Sequence, residues 1–271
     1  FTFKLQFNPE RIVSSAAKVD KQSIEARPCF LCESNRPVEQ RGLTAGNYEV
    51  LVNPFPIFTE HFTIPAHAHT PQQIRGNFSA MLELAQKMEG FTLFYNGPKC
   101  GASAPDHFHF QAGNFGFMPL DYELDDLKKN YGKLWLAKGV EYCAIKDGVR
   151  NFFVLESEDR AALENAFESL YNVLSEYSDE EEPMLNILVA FVNNVWRILV
   201  FPRVLHRPLQ YFAEGEEHIL ISPASVDMGG VLIIPKEKDF LKIGKADIKN
   251  IMHQVLYPED QFDKLTKKIR P

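Results

Sequence analysis

Phe94-Tyr95-Asn96-Gly97-Pro98-Lys99-Cys100-Gly101-Ala102-Ser103-Ala104-Pro105-Asp106-His107-Phe108-His109-Phe110-Gln111 is the most informative run of this chain. Its last five residues alternate in kind. On a β-strand successive side chains point to opposite faces, so His107, His109 and Gln111 share one face while Phe108 and Phe110 share the other. The two aromatics anchor a core face, which leaves two imidazoles and an amide in line on a working face. A lone histidine in such a place reads as a satisfied core residue; two histidines and a glutamine in strict alternation do not. The loop ahead of the strand contributes Gly101, where the backbone can come close to a ligand, and Ser103, a hydroxyl donor. Together these make a surface able to take phosphate without the lysine of a P-loop.

Outward from this segment the pattern is mixed helix and strand. Tyr48–Val52 is a β-prone run closed by Asn53-Pro54-Phe55-Pro56, because a central strand does not tolerate proline. His61–Ile64 is a second short strand stopped by Pro65. Thr70-Pro71 has the form of an N-cap followed by proline at the first helical position. Ile74, Phe78, Met81, Leu82, Ala85 and Met88 then recur at helical spacing, so a helix is expected over Pro71–Glu89. Phe91–Tyr95 and His107–Ala112 read as strands. The second half repeats the order, with a strand over Asn151–Leu155 and a helix over Glu158–Tyr177. Strands Met184–Val192 and Val195–Phe201 follow, joined at Asn193-Asn194, a hairpin-prone pair. Short strands are expected at His218–Ile221 and Val231–Ile234. The reading is an α+β protein of two related units, residues 1–145 and 146–271, with one continuous domain as the alternative because no flexible linker separates them.

Composition narrows the function classes. The chain has 271 residues, 45% apolar and 24% charged, which is ordinary for a globular protein. With 29 Lys+Arg against 36 Asp+Glu the net charge is −7. That balance disfavours polymeric nucleic acid, whose binding relies on basic residues neutralising phosphates, but allows a small anion in a locally positive pocket. The longest apolar run, Ile187–Val192, is far short of the roughly 20 residues of a membrane span, so no membrane partner is expected. Residues 1–18 have no apolar signal core. Cysteine is sparse: Cys100 and Cys143 read as small buried hydrophobes, and the expected compartment is reducing and cytoplasmic. Cys29 and Cys32 form a CxxC pair, which by itself fits a zinc site, a redox motif or two free thiols.

His107-x-His109-x-Gln111, with Asn96 and the Gly/Ser loop before it, resembles the nucleotidyltransferase branch of the histidine-triad (HIT-like) superfamily. That branch includes galactose-1-phosphate uridylyltransferases, dinucleoside tetraphosphate phosphorylases and GDP-hexose phosphorylases. The resemblance covers most of the first half. It extends weakly into the second, where Ser222-Pro223-Ala224 through Gly230-Val231-Leu232 is similar to a late segment of the GDP-hexose phosphorylases. It implies two HIT-like units of antiparallel sheet plus helix, the second a degenerate copy.

The resemblance also implies the chemistry. The second histidine of the signature, here His109, is the nucleophile that takes a nucleotidyl group, splitting one difficult displacement into two easier ones. Gln111 stands where the hydrolase branch has a third histidine; it can donate to a phosphoryl oxygen but cannot act as acid or base, which favours transfer or phosphorolysis over hydrolysis. The implied donor is a nucleotide sugar or a dinucleoside polyphosphate, and the acceptor is phosphate or a sugar 1-phosphate. Asn53 and Phe55 match the Asn-x-Phe-Pro segment that lines a base and ribose pocket, and Asn96, Gly101 and Ser103 are the remaining expected substrate contacts. One departure stands out: in the uridylyltransferases the loop serine lies three residues before the first histidine, whereas Ser103 lies four before His107. Asp106, the extra residue, either orients an imidazole or faces solvent. Arg197, Arg203, His206 and Arg207 of the second half are either phosphate-reaching or surface residues. A homodimer is compatible with the family, with no interface marked in the sequence.

The segment Arg27-Pro28-Cys29-Phe30-Leu31-Cys32 likewise resembles the CxxC that holds structural zinc in the uridylyltransferases. The resemblance assigns the third ligand to His67, in Pro65-Ala66-His67, with His69 as the alternative, and the fourth to His107. Such a Cys₂His₂ set suits tetrahedral Zn²⁺ with no position open to water. The rival reading for the whole chain is a catalytically silent, zinc-stabilised nucleotide-binding protein.

Overall fold

Alternating strand sequences and two amphipathic helices build a ten-stranded sheet and its packed face in a computed structural model that describes residues 2–270. The strands are β1 (Lys4–Phe7), β2 (Gly42–Ala45), β3 (Tyr48–Val52), β4 (His61–Pro65), β5 (Phe91–Asn96) and β6 (His109–Asn114) in the first half. The second half has β7 (Gly132–Ala137), β8 (Val140–Lys146), β9 (Asn151–Ser157), β10 (Leu185–Val192), β11 (Val195–Pro202) and β12 (Val231–Ile234). Ten of them form one sheet in the order β2-β3-β4-β6-β5-β10-β11-β9-β8-β7, and every pairing in it is antiparallel. Read from either edge, the order is the same for five strands. β2 to β6 and β7 to β11 are thus two copies of one unit, meeting where Asn96 pairs with Asn186 and Leu93 with Val189. The topology puts the start of the second copy at Gly132, so β7 and β8 belong with it although both begin before residue 146.

Each copy carries its helix between the third and fourth of its strands, Phe78–Lys87 in one and Arg160–Ser175 in the other. Both helices lie on the same face of the sheet. Their apolar sides pack with Leu93, Phe108, Phe110, Val189 and Ile198 in one core, and the rings of Phe78 and Phe167 stack at 3.8 Å. The opposite face differs between copies. In the second, Leu199 and Phe201 of β11, with Phe152 and Val154 of β9, enter a second core with the helix Pro119–Tyr131 and residues 219–256. In the first, β6 presents His109 and Gln111 to that face, and a cavity remains. The degenerate copy has lost its working face to apolar side chains.

Several local expectations are corrected. The helix begins at Phe78, not Pro71, because residues 72–74 donate elsewhere: Gln72 N to Pro105 O at 3.0 Å and Ile74 N to Glu182 Oε2 at 2.6 Å. The strand after the Gly/Ser loop starts at His109, since Phe108 N is taken by Thr70 O. Residues 218–221 form no strand. The helices Pro119–Tyr131, Lys245–Val255 and Glu259–Ile269 were not read from the sequence.

The N-terminal segment ties the copies together. β1 pairs in parallel with β12, while the side chains of Gln6, Asn8 and Arg11 donate to the carbonyls of Ile57 (2.9 Å), Pro56 (3.1 Å) and Phe55 (3.3 Å). Residues 11–18 then run over the cavity, contributing Arg11, Ser14, Ser15 and Lys18 to its wall.

Candidate active site

His109 sits where β5 and β6 part. Their pairing ends at Phe94 and Gln111, and beyond it the backbone of His109, paired with Pro65 on its other side, would lack a partner on the β5 side. Gln72, fully buried, fills that gap with its side chain: Oε1 accepts from His109 N at 2.8 Å, and Nε2 donates to His109 O and Asn96 O, both at 3.0 Å. The imidazole is fixed as well. His109 Nδ1 donates to His107 O at 2.8 Å, which leaves Nε2 as the unprotonated nitrogen of a neutral ring. Burial pushes the His109 pKa down to about 4, so the ring keeps its lone pair at neutral pH.

His109 opens on a cavity of about 920 Å³ whose wall also includes Asn53, Phe55, Asn96, Gly101, Ser103 and Gln111. The sequence-derived candidates thus converge on one space. Their side chains are already partly committed. Asn53 Nδ2 donates to Thr63 Oγ1 (2.8 Å) and its Oδ1 accepts from Phe55 N (2.9 Å), a turn that sets Phe55 at the wall. Asn96 Oδ1 accepts from Asn186 Nδ2, Ser225 N and Ser225 Oγ at 2.7–2.9 Å, so its free capacity is the amide NH₂. Gly101 has φ +94°, and a Cβ there would stand 2.6 Å from Ala224 Cβ. A side chain at 101 would separate the loop from the 222–227 segment, which forms part of the cavity wall.

Arg11, Lys18, Arg27 and Arg36 line the cavity, against the carboxylates Glu39 and Asp227. A net-negative chain therefore gathers cations at this cavity, of which Arg27 and Arg36 are ion-paired with Asp106 and Glu49. These cations come from the N-terminal forty residues, not from the basic cluster of the second half. Arg203 is fully buried and donates to Asn186 Oδ1, Pro223 O, Val255 O, Leu205 O and His206 O. Arg197 pairs with Glu156 and Asp125. Arg207 binds Ala17 O and Ser222 Oγ, holding the covering segment without lining the cavity.

Beside the cavity, Cys29, Cys32, His69 and His107 each offer one ligand atom, all within 4.8 Å of one another. This corrects the assignment of His67. His67 N donates to Asn47 O, continuing the sheet edge, and its side chain is exposed; two residues later the chain has turned and His69 Nδ1 lies 3.1 Å from Cys32 Sγ. The donor set fits a tetrahedral ion. His107 Nε2 donates to Ala66 O at 2.8 Å, which leaves Nδ1, 3.3 Å from Cys29 Sγ, as the ligand nitrogen, the outer-shell pattern of metal-bound histidine. Asp106 faces both systems: Oδ2 is 3.6 Å from His69 Nε2 and Oδ1 is 3.1 Å from Arg27 Nη2. Of its two sequence readings, the orienting one fits. Cys100 and Cys143 are buried, with thiol pKa values pushed up by burial to about 12 and about 11, and act as apolar filling.

Gln72 and His61 escaped sequence reading. A buried amide leaves no periodic trace, and His61 reads only as the first residue of a short strand.

Comparison with known proteins places these features in context. The family model described as GDPGP1-like, C-terminal domain, matches residues 131–270, beginning one residue before β7; a domain of unknown function, DUF4922, matches residues 1–114. The yeast Ap4A phosphorylase crystal structure is 18% identical with a TM-score of 0.55, covering 94% of this chain and 82% of that one. Its complex with AMP gives 18% and 0.54, covering 80% and 76%. No protein of curated function matches the sequence. The shared fold is the HIT-like α+β architecture of that nucleotidyltransferase and phosphorylase branch. No helix among the described residues is long and apolar enough to cross a membrane.

Proposed function

This chain belongs to the family described as GDPGP1-like, C-terminal domain, and from that premise we propose that it is a nucleotidyltransferase of the phosphorylase type. The observation that carries the reading is the neutral His109 ring, with Nδ1 tied to a backbone carbonyl and its cavity shared with Gln111. The substrate is a nucleotide sugar or a dinucleoside polyphosphate, consistent with Arg11 and Lys18 on the cavity wall. The fold shared with the yeast Ap4A phosphorylase, seen also with AMP, supports the same class.

In the first step His109 Nε2 attacks the α-phosphorus. An N–P bond forms, the P–O bond to the leaving group breaks, and the leaving sugar phosphate or nucleotide keeps the electron pair. In the second step an oxygen of phosphate, or of a sugar 1-phosphate, attacks the same phosphorus; the N–P bond breaks and the neutral imidazole is restored. Gln111 and the Asn96 amide donate to the phosphoryl oxygens, and Phe55 lies along the base and ribose. Gln111 offers no general base for water, so the acceptor is a phosphate. Cys29, Cys32, His69 and His107 hold a structural zinc, whose contribution is to fix the N-terminal segment against the start of β6.

The test is intact-mass analysis after incubation with nucleotide sugars and dinucleoside polyphosphates. A mass increase of one nucleoside monophosphate is expected in the wild type, absent in His109→Gly and discharged by added phosphate. Binding without adduct or phosphate-dependent turnover across the panel would leave only a nucleotide-binding protein.

A further inference from the structure

We propose that His61 is the positioning residue that fixes which way the Gln111 amide points, so that its NH₂ group faces the cavity and its oxygen faces away. The presentation of that group to phosphoryl oxygens rests on the nucleotidyl-transfer reading above; the orientation itself does not.

The argument starts from a group with no choice of role. Ile57 N is a backbone amide and can only donate, and it lies 3.1 Å from His61 Nδ1. Nδ1 must therefore accept, and a neutral imidazole with a bare Nδ1 carries its proton on Nε2. His61 Nε2 lies 3.0 Å from the end of Gln111. The atom meeting an N–H there must be the amide oxygen, which leaves the NH₂ as the group directed elsewhere. Gln111 lines the cavity.

The ring is held in place on its other sides. His61 is buried, Phe58 meets it edge-on at 5.4 Å, and Phe94 lies at 5.8 Å. Burial and the nearby Arg11 guanidinium keep its pKa down at about 3, so the neutral form persists. With no such partner an amide can turn over, and an oxygen aimed at phosphoryl oxygens would repel them. A glutamine is useful here only if its flip is fixed, and the chain from Ile57 through His61 fixes it.

Two measurements on the full-length protein test this. Long-range ¹⁵N–¹H NMR of the wild type should show His61 protonated on Nε2 only, from pH 5 to pH 8; an Nδ1–H tautomer or an imidazolium would overturn the proposal. Single-turnover formation of the nucleotidyl adduct from a nucleotide sugar gives the second readout. His61→Phe, which keeps a ring between Phe58 and Phe94, should slow adduct formation about fivefold to tenfold. In a Gln111→Leu background the same change should cost nothing further, and His61→Gln, which restores a donor near the Nε2 position, should recover most of the rate. An equal cost in both backgrounds would show a general structural effect and sink the idea. A wild type that forms no adduct while showing the expected tautomer would overturn nucleotidyl transfer and leave the orientation standing.

Discussion

Asn96 and Asn186 face each other across the seam between the two copies, with Asn186 Nδ2 donating to Asn96 Oδ1 at 2.9 Å. The pair connects the cavity to the interior of the second copy, because Arg203 Nη1 donates to Asn186 Oδ1 at 2.6 Å. Both asparagines are buried, and Asn186 Nδ2 also donates to Cys100 O at 2.7 Å.

Asn186→Leu is therefore expected to destabilise the protein by about 2–4 kcal/mol, since it takes one acceptor from the buried Arg203 guanidinium and leaves the Cys100 carbonyl without its donor. Urea unfolding should show the loss as a lower midpoint. A midpoint within error of the wild type would mean that the seam does not depend on this pair.

Replacing Gln72 probes the support of His109, the proposed nucleophile. Gln72→Met keeps the volume and removes two hydrogen bonds to the His109 backbone and one to Asn96 O. Adduct formation should slow about tenfold to a hundredfold, because small displacements of a reacting group are costly. Nucleotide affinity, measured by calorimetry with His109→Gly as the background, should change far less.

The metal cluster separates two neighbouring histidines. Wild type should carry about one zinc per chain, as four ligands make one closed tetrahedral site. Cys29→Ser and His69→Ala should lose the metal, whereas His67→Ala should retain it. Asp106→Asn should weaken metal binding by about tenfold to a hundredfold, the usual effect of altering an outer-shell partner. Metal content by elemental analysis, and competition with a chelator, read all four.

Glu182 supplies a pH dependence of stability. It accepts from Tyr95 Oη at 2.5 Å and from Ile74 N at 2.6 Å, and burial pushes its pKa up to about 7. A carboxyl whose pKa is raised in the folded state binds its proton more tightly there than when unfolded. Its favourable contribution is thus full below about pH 4.3, the unfolded value, and is lost as pH rises towards 7. The loss is at most about 3 kcal/mol. Glu182→Gln can accept from Ile74 N and donate to the Tyr95 oxygen, so it should flatten the decline between pH 4.5 and 7. An unchanged slope in urea midpoints would assign the pH dependence to other groups.

The working strand was legible because its signal is local: the alternation of His107 to Gln111 places side chains by geometry alone. The CxxC pair was legible for the same reason. The choice between His67 and His69 was not, since it depends on His67 N pairing with Asn47 and the turn that follows. The helix over Pro71–Glu89 was drawn too long because Ile74 fits the period while its N–H serves Glu182, 108 residues away. The roles of Gln72, His61 and Asn186 are set by partners distant in sequence, and no periodicity announces a buried polar side chain. The cavity's cations were missed because Arg11 and Lys18 read as scattered surface charge until the N-terminal segment crosses the sheet. The degenerate second copy was foreseen from its missing histidine pair, while its filling by Leu199 and Phe201 needed the topology.

The pairing of Lys4–Phe7 with Val231–Ile234 joins residues separated by most of the polypeptide. During synthesis the strand carrying His109 would emerge long before the cavity's cover could be fastened, since β12 follows β6 by more than a hundred residues. A nascent chain would hold His109 in the open, and the enclosed chamber would come into being only once β12 had been made.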